Sequence, residues 1–111
     1  MADEIGELGV VGAGFMGSGI AESAARAGVA VTLYEPEDAP LHQSRGRIEA
    51  SVARVVERGR LSEEDAAALV ERIEWSSDLE ALSGSDLVVE AIVEDAEEGA
   101  RVQGARRGPA A

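Results

Sequence analysis

Val10-Val11-Gly12-Ala13-Gly14-Phe15-Met16-Gly17 is the stretch that decides the fold. It closes a short apolar run, Glu7-Leu8-Gly9-Val10-Val11, with the profile of a buried parallel strand. It also opens a helix-compatible segment, Phe15 to Ala27, in which Ile20, Ala21, Ala24 and Ala25 give a smooth face of small residues. Gly28 suits the left-handed residue that ends a helix. Val29 to Tyr34, rich in Val and Thr, reads as a second buried strand. Strand, helix and strand within roughly thirty residues make a βαβ unit with a right-handed crossover.

Gly12-Ala13-Gly14-Phe15-Met16-Gly17 also matches the G-x-G-x-x-G pattern of dinucleotide sites. In a chain with 13 glycines the pattern alone is weak, so its context carries the argument. It follows a strand, it opens a helix, and an acid, Glu35, stands 23 residues beyond Gly12 at the end of the second strand. Each residue then has a task. Gly12 permits the tight turn out of the strand. Gly14 lets the backbone approach a diphosphate, and Gly17 lets the helix pack closely on the strand. The amides of the loop and the positive end of the helix dipole attract the diphosphate. Glu35 accepts hydrogen bonds from the ribose, and its charge repels a 2′-phosphate, which favours NAD over NADP. FAD-binding proteins use a similar fingerprint, so the pattern by itself leaves that cofactor open.

Beyond Glu35, Asp38 is placed to cap a helix, with Pro40 tolerated in its first turn. Leu41, Ile48, Val52, Val55 and Val56 recur at helical spacing up to a stop at Gly59. Ser62 caps a further helix that runs to about Arg72, with Asp65 near the capping-box position. Residues 38–72 thus read as a helical hairpin. Ile73 to Ser76 reads as a third strand, Asp78 to Leu82 as a single helical turn, and Leu87-Val88-Val89 as a fourth strand prolonged by Ala91-Ile92-Val93. The fold class is α/β: a Rossmann-type doubly wound parallel sheet, incomplete at about four strands, in the order 3-2-1-4. Residues 1–98 form this partial domain. Residues 99–111 read as an irregular or disordered tail, because the segment from Arg101 onward is rich in Gly, Pro and Arg and has no periodic apolar face. The fourth strand is then an open edge, and the expectation is self-association through it.

Composition narrows the function classes. Ten basic against 22 acidic residues in 111 leave a net charge of −12, which argues against nucleic-acid and anionic-membrane surfaces. The absence of cysteine excludes disulfides, thiolate metal sites and a cysteine nucleophile. No apolar run approaches a membrane span, and the first residues, Met1-Ala2-Asp3-Glu4, are acidic where a signal peptide is basic. The expected location is cytoplasmic.

The wider string from Val10 to Ala21, with Ser18-Gly19-Ile20-Ala21 after the fingerprint, resembles the start of the 3-hydroxyacyl-CoA dehydrogenases. Leu33-Tyr34-Glu35 is similar to that family's second-strand ending, where aspartate is usual. Arg58-Gly59-Arg60-Leu61-Ser62 resembles the joint of its helical hairpin. Asp86 to Asp95 resembles its fourth strand and the cofactor loop after it. The resemblance covers residues 7–98. It implies NAD as cofactor and oxidation of a 3-hydroxyacyl-CoA to the 3-ketoacyl-CoA, a step of fatty acid metabolism. It also implies that Ala91 and Glu94 lie along the nicotinamide half of NAD, and that Ser51 and Arg58 contact the CoA portion of the substrate. A guanidinium suits a phosphate there. On their own, Ser51 and Arg58 read as a solvent-facing pair, and Glu94 as part of an acidic run.

The family's chemistry uses a histidine base paired with a glutamate, in residues that follow the fourth strand. The one histidine here, His42, matches no catalytic motif and reads as a solvated surface residue, while Tyr34 and Trp75 read as packing. No catalytic residue is therefore assigned, and the expectation for the 111-residue chain is NAD binding without turnover. The family also carries a lysine shortly after the position of Glu94, where this chain has Gly99. Permitted codons for Arg101 to Ala110, shifted by one nucleotide, encode Val-Phe-Arg-Glu-Leu-Asp-Ala-Val-Leu, an amphipathic segment resembling the family's next helix. The expectation is a shifted reading frame near residues 97–100. The rival readings are a non-enzymatic dinucleotide-binding or interaction module and a different Rossmann dehydrogenase. The hairpin at 38–72 argues against the β-hydroxyacid type, whose crossover there is shorter.

Overall fold

The computed structural model describes residues 5–92 and the backbone of residues 101–104. The elements are β1 (Glu7–Val11), α1 (Phe15–Arg26), β2 (Ala30–Tyr34), α2 (Asp38–Glu57), α3 (Glu63–Glu71), β3 (Ile73–Ser76), a 3₁₀ turn (Leu79–Leu82), β4 (Leu87–Glu90) and β5 (Arg101–Gly104). They form one sheet in the order β3-β2-β1-β4-β5. The first four strands are parallel, in the Rossmann order that the sequence implies. Among the described residues, no helix is long and apolar enough to cross a membrane.

The register explains the core. Trp75, Leu33, Val10 and Val89 are cross-strand partners in one row, and Ile73, Val31, Leu8 and Leu87 in the next. These rows meet Ala21 and Ala25 of α1, Ile48 and Val52 of α2 and Leu69 of α3 in one buried cluster. The small residues of α1 set its closeness to the sheet. Gly17 packs beside Val10, and a Cβ there would fall on the Gly12 carbonyl oxygen. Leu33 is fully buried at the centre of the cluster.

The helix ends follow their local chemistry. Ser62 Oγ accepts from the Asp65 amide at 3.0 Å, and Asp78 Oδ1 from the Glu80 amide at 3.0 Å. Gly28 and Gly59 adopt φ of 98° and 74°, the left-handed region that a helix stop needs. At the start of α2 the N-cap is Glu37, not Asp38, and it makes no side-chain capping bond. Asp38 sits instead in the first turn, where its charge still opposes the positive end of the helix dipole.

At the far edge the structure differs from the sequence reading. Residues 101–104, read as part of an irregular tail, form β5, which pairs antiparallel with β4. The fourth strand is therefore covered, and the edge strands of this sheet are β3 and β5. Strand pairing joins backbone amides and carbonyls and needs no apolar periodicity, which is why composition alone hid it. The proposed frame junction at 97–100 and the acidic run from Glu94 lie outside the described residues.

Candidate dinucleotide site

The site forms where the strand order turns, at the carboxyl ends of β1 and β4. Three backbone bonds tie the strand ends together. The Gly12 amide donates to the Tyr34 carbonyl at 2.9 Å, the Ala91 amide to Val11 at 2.8 Å, and the Glu35 amide to Ser76 at 3.0 Å. Gly12 takes φ of 113°, where side chains are strained, and a Cβ there would lie 2.9 Å from the Ala91 carbonyl oxygen. The chain thus leaves β1 in a bend that only glycine accommodates.

Gly14 contrasts with both neighbouring glycines. It is the N-cap of α1 in an extended conformation, and a Cβ built on it meets no atom within 4 Å. Gly14 also lines an open cleft of about 470 Å³, together with Gly12, Ala13, Phe15, Met16, Glu35, Ala91 and Ile92. The first intrahelical bond runs from the Ser18 amide to the Gly14 carbonyl, so the amides of the preceding turn lack acceptors within the helix. The cleft therefore combines unpartnered helix-start amides, a positive dipole end and room for a close backbone approach. These features fit the diphosphate of a dinucleotide.

Glu35 stands just past β2 on the rim. Its Oε1 accepts from the Ala13 amide at 3.2 Å and its Oε2 from the Glu37 amide at 3.4 Å. The carboxylate is thus aimed at the glycine loop and held in place, with acceptor capacity left for ribose hydroxyls. Of the residues expected from the sequence, Gly12, Ala13, Gly14, Phe15, Met16, Glu35 and Ala91 line the cleft. Gly17 does not: it lies beneath the loop against Gly12, as its packing task requires. Glu94 lies outside the described residues. Ile92, not singled out from the sequence, also lines the cleft; its signal was the apolar run that continues past β4.

Ser51 and Arg58 lie apart from the cleft lining, seven residues and hence about two turns apart on α2. Ser51 Oγ donates to Glu22 Oε2 on α1 at 2.8 Å, and Arg58 is the exposed C-cap of the helix. His42 is exposed on α2 and does not line the cleft. Below the loop runs a buried hydroxyl network that the sequence did not reveal. The Ser18 and Ser44 hydroxyls are 2.8 Å apart, the Trp75 indole N–H donates to Ser44 Oγ at 3.1 Å, and the Ser18 hydroxyl reaches the Ala13 carbonyl at 3.4 Å. It joins β3, α2 and α1 to the glycine loop.

A family model described as 3-hydroxyacyl-CoA dehydrogenase, NAD binding domain, matches residues 7–103. The 3-hydroxybutyryl-CoA dehydrogenase of Mycobacterium tuberculosis strain H37Rv is 47% identical over 95 residues, covering 86% of this chain and 33% of the relative. A probable 3-hydroxybutyryl-CoA dehydrogenase of Bacillus subtilis strain 168 is 38% identical over 92 residues, covering 83% of this chain and 32% of the relative. Among solved structures, M. tuberculosis FadB2 aligns with a TM-score of 0.80 at 47% identity, over 84% of this chain and 33% of that one. The Escherichia coli K12 3-hydroxybutyryl-CoA dehydrogenase aligns with a TM-score of 0.78 at 36% identity, over 83% of this chain and 20% of that one. The chain spans about a third of the length of the curated relatives described here, with 33% and 32% of them covered. With the fingerprint, the sheet order and the cleft all agreeing with that match, the chain belongs to the NAD-binding domain family of the 3-hydroxyacyl-CoA dehydrogenases.

Proposed function

We propose that this chain holds NAD for the oxidation of a 3-hydroxyacyl-CoA. The diphosphate sits on the amides at the start of α1, and Glu35 accepts from the adenosine ribose. Ala91, with Glu94 beyond it, flanks the nicotinamide half. The observation that carries the reading is the direction of Gly14: where a side chain would stand, the protein leaves space at the amino end of a helix. NAD supplies the acceptor for the hydride that leaves the hydroxyl-bearing carbon. The residues of this chain bind and orient that acceptor. Ser51 and Arg58 on α2 would take the CoA portion, Arg58 by a forked contact to phosphate. For Ser51 this requires its hydroxyl to exchange or share its bond to Glu22.

The proton of the substrate hydroxyl needs a base within hydrogen-bond reach. His42, the chain's one histidine, is exposed and not part of the cleft lining. The outcome expected for the 111-residue polypeptide is NAD binding without oxidation of substrate. Calorimetric titration with NAD, run beside an NADH absorbance assay with 3-hydroxybutyryl-CoA, tests both halves. Binding without turnover supports the reading. Turnover refutes the assignment of the base elsewhere, and absence of binding by the folded chain refutes the cofactor role.

A further inference from the structure

Arg47 contacts the glycine loop from α2. Its Nη1 donates to the Ala13 carbonyl at 3.4 Å, and its Cζ lies 4.0 Å from the centroid of the Phe15 ring. Phe15 is 79% exposed, at the first position of α1 and in the cleft lining. A large ring left in solvent is poorly accounted for by packing, but it makes a platform that fixes a guanidinium beside the cleft.

The charge setting is the second observation. In a chain of net charge −12, arginines have carboxylates at hand, and Arg45, two residues earlier, pairs with Glu49 at 3.0 Å. Half-buried Arg47 makes no ion pair among the described residues, and one carbonyl bond engages a small part of a group with five N–H donors. Phosphate oxygens are the partners that a planar fork of donors matches.

We propose that Arg47, held on Phe15, is an additional phosphate-binding residue that takes the diphosphate of the dinucleotide at the mouth of the glycine loop. The proposal rests on the NAD-binding reading above. It gives the site a cation that the fingerprint does not encode, and that cation offsets the repulsion an acidic protein exerts on an anionic ligand. The contact is to the loop carbonyl of Ala13, which selects the dinucleotide's diphosphate over that of CoA as the partner.

The test is titration of the full chain and of its Arg47→Ala, Arg47→Gln and Arg47→Lys variants with NAD, ADP, adenosine and CoA, at low and at moderate salt. Thermal melts establish that each variant is folded. The expected result is a loss of about tenfold in NAD and ADP affinity for the Ala and Gln variants, about 1.4 kcal/mol. Adenosine affinity stays unchanged, Lys recovers part of the loss, and the salt dependence of ADP binding becomes shallower. Unchanged NAD and ADP affinity in both neutral variants overturns the proposal while leaving the NAD reading intact. An equal loss for adenosine assigns Arg47 a structural role and also overturns it, as does a loss confined to CoA. If the unsubstituted chain binds neither NAD nor ADP, the underlying reading falls and the proposal with it.

Discussion

Gly14→Ala and Gly17→Ala add the same methyl group to two glycines three residues apart, and the account predicts opposite consequences. At Gly14 the backbone φ and ψ of −79° and −161° suit alanine, and the new Cβ meets no protein atom within 4 Å. Alanine is a poorer N-cap than glycine by about 0.5–1 kcal/mol. Restricting the unfolded chain returns about 0.4–1 kcal/mol. These nearly cancel, so stability should stay within about 0.5 kcal/mol of the starting protein. The methyl does, however, fill the approach to the helix-start amides. Losing one charge-assisted hydrogen bond to the diphosphate costs about 1.5–3 kcal/mol, which is roughly 10- to 150-fold in NAD affinity. At Gly17 the methyl falls on the Gly12 carbonyl oxygen, so helix and strand must separate. Overpacking of this kind costs about 3 kcal/mol, against about 1 kcal/mol gained in helix propensity. The net loss of about 2 kcal/mol corresponds to a melting point lower by about 10 °C. Far-UV circular dichroism melts and calorimetric NAD titration of the two variants decide the matter. The reasoning is refuted if Gly14→Ala melts early with Gly17→Ala, or if Gly14→Ala binds NAD like the parent.

Other outcomes follow from the same geometry. Glu35→Ala should weaken NAD by about tenfold while removing the bias against NADP, read as the ratio of the two dissociation constants; an unchanged ratio contradicts the role of the carboxylate. Ser44→Ala leaves the Trp75 indole and the Ser18 hydroxyl without their shared partner, at a cost of about 1–2 kcal/mol. Urea unfolding followed by the emission of Trp75, the chain's one tryptophan, should show an earlier midpoint and a shifted native spectrum. Leu33→Ala opens a cavity at the centre of the core and should cost about 3 kcal/mol by the same assay. Removing residues 101–111 uncovers the outer edge of β4, and sedimentation velocity should then report more self-association than the full chain shows.

The parts legible in the sequence are those fixed by neighbours along the chain. The strand at 7–11, the bend at Gly12, the helix from Phe15 and the acid at 35 follow from local period and from glycine chemistry, and all stand where expected. The sheet order follows from the crossover rule applied to those units. What stayed hidden is long-range. Ser18 and Ser44 meet across 26 residues, and Ser44 and Trp75 across 31; neither pair leaves a trace in hydrophobic periodicity. Arg47 reads as one more charge on a helix until Phe15 is found beneath it. β5 was missed because an edge strand is held by backbone pairing, and Arg101–Gly104 carries no alternating pattern to announce it.

The central claim, that the start of α1 offers its amides to a diphosphate while Glu35 holds the neighbouring sugar, is tested most directly by following backbone amide NMR signals during NAD titration. The account predicts saturable shifts concentrated at residues 13–17 and 35, with the α3 signals unmoved. A well-dispersed spectrum in which those loop signals stay fixed up to millimolar NAD would contradict it.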